Sequence, residues 1–472
     1  MNGEAGSQAD FAVVGAGLAG LRTAASLSAS GATVTVFEAR DRVGGRVLSA
    51  PGAYGGTAGP PLVLDLGAQW VGPGQTEMLR HIKELGLHVV PTAVPGRAIW
   101  GLAGRVRESS ATLPPVPPLV LAEMIAGGAL VALMARGVPS EAPWRARRAR
   151  QWDRVSAEDW IRRRLHTAAA RDLARLYIRG NAAIEPTDTS LLGILFDLGT
   201  IRPVRRLATA EAFRVREGAH ELARRLACRL EHRIRFADPV RAITQDSGGV
   251  TVESDAGALR CRRVAVCVPP PLASRIAYTP ALPDRRADLL ASLPMGASVK
   301  FHAVYQRPFW RARGLSGQAW TTAGTVGLTY DNSPRDGTGR GVLVGLVVAD
   351  EARRLGALDL LGQEQEILVA LERLFGPEAA APEALVVQDW GAEEWTGGCY
   401  AAYFPVGVWT SYGSAFGAPC GRIHWAGTET STEWHGYMEG AIRSGYRAAQ
   451  EMLHADSGEA AATDREPRAS LG

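Results

Sequence analysis

The chain is 472 residues long, enough for two or three domains around a large buried core. Hydrophobic residues make up 46% and charged residues 21%, and the formal net charge is only +4, so a soluble globular protein is expected and a nucleic-acid binder is not. Five cysteines without a CxxC pair exclude a disulfide framework and a structural zinc site.

The opening MNGEAGSQADF has no apolar stretch of the secretory kind. The first predicted unit is DFAVVGAGLAGLRTAASLSASGATVTVFEAR, residues 10–40. A buried strand runs into Gly15-x-Gly17-x-x-Gly20, then comes an Ala- and Leu-rich helix stopped at Gly31, then a second strand ending at Glu38. Gly15 permits the tight turn, Gly17 lets a pyrophosphate approach the backbone, and Gly20 lets helix and strand pack closely. The helix N-terminus offers unpaired N–H groups and a favourable dipole to phosphates. Glu38 is placed to accept hydrogen bonds from an adenosine ribose. The unit predicts a bound dinucleotide without choosing between FAD and NAD. Gly44-Gly45-Arg46 adds a second glycine turn with a fixed cation, which suits a cofactor lying extended.

Residues 64–87 read as strand, glycine turn and helix. From about 112 to 213 Pro-rich connections alternate with helical segments, and Ser156 with Asp159 marks one helix start. The apolar run 118–134 contains Glu123 and a Gly-Gly and is short for a membrane span, so a buried or amphipathic helix is expected. The basic stretch RARRARQWDR (145–154) reads as a solvated helix face. The DSGG at 246–249 predicts a hairpin between two alternating strands. Residues 421–453 give a strand, a turn and a closing helix. The small, polar tail beyond Leu453 is expected to be disordered. Cofactor-type signals at both ends of the chain predict a substrate region inserted into the cofactor domain. Only two of the 52 basic residues are lysine, Lys83 and Lys300. Lys83 fits a helix surface, whereas Lys300 is a candidate for work that a guanidinium cannot do.

Five ordered motifs, GAGLAG…FEARDRVGGR, DLGAQWVGP, MGASVKFHAVYQRPFW, WTGGCYAAYFPVG and GRIHWAGTETSTEWHGYMEGA, make residues 10–455 resemble the flavin-dependent monoamine oxidases. The resemblance implies an α/β fold of two domains (α+β), a Rossmann-like FAD-binding domain with an inserted helix-and-sheet substrate domain. It divides the chain into FAD-binding segments at 9–83, 214–289 and 391–455, substrate segments at 84–213 and 290–390, and a disordered tail at 456–472. Its implied reaction is oxidative deamination of a primary or secondary amine to an aldehyde or ketone, with O2 reduced to hydrogen peroxide. Lys300 matches a lysine that holds a water against the flavin, and Tyr400 and Tyr437 match two tyrosines flanking the substrate amine. These three are the expected catalytic residues. Cys399 matches a cysteine bonded through sulfur to the flavin, with Gly397 and Gly398 letting the backbone reach the ring. The competing reading is a free thiol packed against non-covalent FAD. The resemblance further places Gly15, Gly17, Gly20, Glu38, Arg40, Gly45, Arg46, Gln69, Trp70, Val240, Trp390, Glu429, Thr430 and Met438 at the cofactor.

Some residues depart from the family pattern. Glu217 stands where a glycine is usual, which puts the approach of the following helix to FAD in doubt. Glu211 falls where the family often has a pocket glutamine; facing the cavity it would pair with a second amine on the substrate, and otherwise it is a surface glutamate. Leu328 falls near the entrance gate, where a smaller apolar residue would widen access. L-Amino-acid oxidases of this fold carry an arginine after the Gly-Ala turn, and here Gly67-Ala68-Gln69-Trp70 has none. A polyamine oxidase and a non-enzymatic flavin-fold interaction protein also compete with the monoamine oxidase reading. The expected partners are an amine and O2, with a homodimer open. No metal, nucleic acid or membrane is expected, and the expected location is cytoplasmic.

Overall fold

The strand–turn–helix reading of the N-terminus holds in the computed structural model, which describes residues 7–52, 61–110, 113–230, 233–335 and 339–463. Phe11–Val14 is fully buried and Val34–Phe37 nearly so, as a strand of β-branched and aromatic residues covered on both faces must be. They sit inside a parallel sheet ordered Ile234–Arg235, Val34–Phe37, Phe11–Val14, Arg263–Val266, Ile423–Trp425. Phe11, Val13, Val34 and Val36 face a core shared with Leu18–Ala29, Ala219–Cys228 and the closing helix. Ala12, Val14 and Phe37 face the opposite way, onto a second sheet that contains the expected hairpin, Val240–Asp246 with Gly249–Ser254.

A seven-stranded sheet forms the other body. Its order is Ala384–Asp389, Ser298–Tyr305, Gly341–Val348, Leu328–Asp331, Leu315–Thr321, Arg97–Leu102, Arg105–Ser110. Period-two alternation sends Val299, Phe301, Ala303 and Tyr305 into a core under the helix Leu360–Phe375. Lys300 therefore points out of the sheet's other face, toward the parallel sheet. The fold class is as expected, with strands of the seven-stranded sheet falling in sequence between those of the parallel sheet. The helical connections are capped by their own sequence: Ser156, Thr167 and Ser190 each accept a hydrogen bond from the backbone three residues on.

Two expectations fail. The closing helix, Met438–Thr463, runs past Leu453 through the first part of the expected tail. Asp456 there meets Arg262, which ties the extra turns to the sheet side; residues 464–472 lie outside the described residues. The helix Pro118–Arg136 is neither buried nor amphipathic: only Val120 and Ala135 are fully buried, and both of its faces are apolar. Among the described residues it is the one helix long and apolar enough to cross a membrane.

Candidate active site

A cavity of about 700 Å³ runs from the glycine turn to the Lys300-bearing face of the seven-stranded sheet. At its first end Gly15, Gly17, Glu38, Arg40, Gly45 and Arg46 line the wall. Gly15 has φ +97°, and a methyl group on Gly20 would stand 1.9 Å from the Gly15 carbonyl oxygen, so both glycines are sterically required. Gly20 packs beneath the turn and does not face the cavity. At Gly17 a side chain would meet nothing, which leaves a bare stretch of backbone open to the cavity. The Glu38 carboxylate accepts from the Ala16 and Arg40 N–H groups at 2.7 and 3.0 Å. Burial pushes its pKa up against those two bonds. Arg40 is held by the Trp395 carbonyl, Glu393 and Thr396.

Arg46 links this end to the C-terminal motif. Its guanidinium forks onto Glu429 at 2.5 and 3.0 Å and also donates to the Tyr400 carbonyl at 2.9 Å. Burial opposes both charges, yet each holds the other ionised: Arg46 lies above its ordinary pKa and Glu429 below. Glu429 thus acts on Arg46 and not on the cavity. Thr430 also turns away, donating to the Gly427 carbonyl and accepting from Arg447. The cavity-facing residues of this turn are Gly427 and Thr428, and Met438 and Val240 also line the wall.

The second end is built around Lys300. Its Nζ donates to the Gly67 carbonyl at 2.8 Å and to Gln69 Oε1 at 2.7 Å, and stands 4.9 Å from the Trp70 ring centroid. An ammonium has three N–H donors, so one remains for the cavity. Burial brings its pKa down to about 8, against the opposing pull of Asp65, Cys399 and Glu211. Gln69 is fixed by donating to Asn332, and the Trp390 indole N–H donates to the Leu66 carbonyl at 2.9 Å. Trp70 lines the cavity with a buried indole N–H that has no partner among the described residues.

Cys399, Tyr400 and Tyr437 meet here on the cavity wall. Burial pushes the Cys399 thiol up to about 11. The neighbouring glycines do something other than expected. A side chain on Gly398 would stand 2.4 Å from the Gly296 carbonyl oxygen, so this glycine seats the loop against residues 295–296, and neither Gly397 nor Gly398 faces the cavity. Tyr400 donates to the Gly180 carbonyl at 3.2 Å, and Tyr437 stands edge-on to Trp434.

Glu211 faces the cavity. It accepts from the Tyr330 hydroxyl at 3.1 Å, and burial pushes its pKa up. Burial first and then Glu211 raise the phenol pKa values of Tyr177, Tyr330, Tyr400 and Tyr437, so this carboxylate sits amid the aromatic residues. Nothing in the sequence singles out Tyr177 and Tyr330, and only the fold brings their helix and strand to Glu211. Leu328 does not reach the wall. It is 2% exposed and packs with Ala183, Leu346 and Val348 behind Trp70 and Tyr400. Glu217 turns outward to His88, and the helix N-terminus after it is occupied by Asp65, which accepts from Ala219 N–H at 2.9 Å. Among the described residues no group of acids, histidines and cysteines could hold a metal ion. The bare backbone at Gly17, the carboxylate at Glu38 and the unpartnered indole N–H of Trp70 along one cavity fit an extended dinucleotide.

Residues 18–453 match the model of the family described as flavin containing amine oxidoreductase. The chain is 39% identical over 450 residues to the Mycobacterium tuberculosis protein named as flavin-containing monoamine oxidase AofH, covering 94% of this chain and 96% of that one. It is 32% identical to the flavin-containing amine oxidase A of Bos taurus, over 96% of this chain and 86% of that one. It is 34% identical to an L-amino acid dehydrogenase of Synechocystis, over 95% of each chain. Among solved structures, wild-type putrescine oxidase bound to putrescine superposes with a TM-score of 0.89 at 33% identity, over 95% of this chain and 99% of that one. Cyclohexylamine oxidase from Brevibacterium oxydans gives 0.88 at 30% identity, with the same coverage.

Proposed function

The chain belongs to the flavin-containing amine oxidoreductases and oxidises an amine with O2 as acceptor; on that premise we propose that the flavin is FAD and that the amine carries a second cationic or hydroxyl group. Bound FAD supplies the acceptor for the hydride of the amine Cα and the reductant for O2. The glycine turn, Glu38, Arg40 and Val240 would hold its adenosine and phosphates, and Trp390, Gln69, Trp70 and Met438 would hold the rest. Cys399 is the attachment point for the ring, which a covalent cofactor would reveal by staying with the protein after acid precipitation.

Tyr400 and Tyr437 flank the reacting nitrogen. An alkyl amine has a pKa near 10, so only about one molecule in a thousand is neutral in water at pH 7. An aromatic corridor that excludes water favours the neutral form and orients its lone pair. The free N–H of Lys300 holds a water at the end of the cavity, where a planar guanidinium would not fit. No side-chain nucleophile is needed.

Glu211 is the observation that carries the substrate class. A carboxylate amid the tyrosines pairs with a second ammonium or accepts from a hydroxyl. It also repels a substrate carboxylate, and the cations lining the cavity, Arg40, Arg46 and Lys300, already have partners. An amine is therefore favoured over an L-amino acid. The cytoplasm is the location proposed, with a homodimer as the assembly. The test is anaerobic mixing of the holoenzyme with aryl monoamines, alkyl diamines, amino alcohols and L-amino acids while the flavin absorbance is followed. Fastest bleaching by diamines or amino alcohols supports the proposal; fastest bleaching by L-amino acids overturns it.

A further inference from the structure

The helix Pro118–Arg136 has no charged residue from 124 to 135. Val120, Met124, Gly127, Val131 and Ala135, at spacings of three and four, face inward: Val120 and Ala135 are buried, and the other three line the cavity. Leu119, Ala122, Ala126, Ala129 and Leu133 follow the same period on the opposite face and are exposed, with Ile125 beside them. Leu119, Ile125 and Leu133 are 71%, 63% and 62% exposed. Glu123, the one acid of the helix, binds the backbone of His166 and Thr167. Nothing polar interrupts the outer stripe, and a contiguous exposed apolar face marks an interaction surface.

The chain that follows is cationic. Arg136, Arg145, Arg147, Arg148 and Arg150 are exposed, and none is in an ion pair among the described residues. Glu141 is the only acid from 136 to 150. Ala135 and Val138 share a core cluster with Ala146 and Ala149, which fixes the basic segment against the C-terminal end of the helix.

We propose that this face docks the protein on an anionic lipid surface, with the apolar stripe in the interface and the arginines on the headgroups. An apolar helix face beside unpaired arginines is the combination such surfaces bind. The inward face is part of the cavity wall, so the helix lies along the bilayer and does not cross it. A second copy of the chain fits the charge poorly, because it would bring two arginine clusters together with only Glu141 between them. The inference stands whichever amine is oxidised.

The test is co-sedimentation of the holoenzyme with vesicles of phosphatidylglycerol and phosphatidylcholine in equal parts, against phosphatidylcholine alone. The expected result is binding to the anionic vesicles, weakened about tenfold or more by the double variant Ile125→Gln/Leu133→Gln and by Arg147→Ser/Arg148→Ser. The arginine pair is exposed and tests the charge even if the apolar pair disturbs the helix. Absence of binding to anionic vesicles overturns the proposal, as does equal binding to phosphatidylcholine. A dimer in light scattering that Ile125→Gln/Leu133→Gln dissolves would give the face to a second copy and overturn it too.

Discussion

Arg46 and Glu429, 383 residues apart in the chain, meet in a two-pronged ion pair against the cavity wall, and the same guanidinium fixes the carbonyl of Tyr400. One contact therefore sets the first glycine turns, the C-terminal turn and a residue of the aromatic site relative to one another. Glu429→Gln leaves a buried cation without its counter-charge and should destabilise the protein by about 3 kcal/mol in denaturant titration. Arg46→Lys keeps the charge and loses the fork, so it should fall between that variant and the parent. A change below about 0.5 kcal/mol in both would remove the pair from the account of stability.

Lys300→Met should slow turnover by about 100-fold while the cofactor stays bound. The pKa of Lys300 in the folded chain is about 8, below the ordinary value of 10.5. The folded protein releases this proton near pH 8, while the unfolded chain keeps it to above pH 10. The charge therefore opposes folding below pH 8, and the opposition fades as pH rises from 8 to 10.5. Lys300→Met should be the more stable protein at pH 7, with the difference in Tm shrinking toward pH 10. A constant difference would refute the burial argument.

Glu211→Gln should raise KM for a diamine by about 10- to 100-fold and leave an aryl monoamine within about threefold. Because burial raises the pKa of this acid, folding favours its protonated form, and the carboxylate detracts from stability once pH exceeds the unfolded value. The amide should therefore raise Tm at pH 7 and above. Equal losses with both amines would assign Glu211 to structure and not to recognition.

Cys399→Ala should release all the flavin into the supernatant on acid precipitation, whereas the parent keeps its flavin on the protein. Flavin released equally from both would show a free thiol beside a non-covalent cofactor.

Gly20→Ala places a methyl group 1.9 Å from the Gly15 carbonyl, a contact that backbone must move to relieve. A loss of about 1–3 kcal/mol and weaker cofactor retention are expected. Gly17→Ala meets no protein atom, so it should spare stability and affect the cofactor alone.

The parts legible in the sequence are those carried by local rules. Gly15, Gly17, Gly20 and Glu38 sit within a single strand–helix–strand unit, and their spacing is enough to read it. Lys300 stands out because the chain has so few lysines, and strand parity then sends it away from Phe301. The site's second half is tertiary. Tyr177 lies on a helix and Tyr330 on a strand with nothing local to join them to Glu211. Leu328 is expected at the entrance, but its neighbours across the sheet, Leu346 and Val348, draw it into a core. Thr430 sits within a recognisable turn, yet its hydroxyl is taken by Arg447 and Gly427. Gly398 is demanded by the loop's own packing against Gly296, which no spacing reveals. For Pro118–Arg136, apolar composition is the same for a buried helix and an exposed one, and only the packing tells them apart.

Lys300 is buried and Lys83 is exposed on the helix Thr76–Glu84, and there are no other lysines. An amine-directed dye or resin therefore finds one side chain on the folded protein, far in sequence from the aromatic site. Among side chains the coupling goes through Lys83 alone, with the chain's α-amino group, of lower pKa, as the competing site. The same reagent becomes a reporter of unfolding, because a second side-chain label appears only when Lys300 comes out.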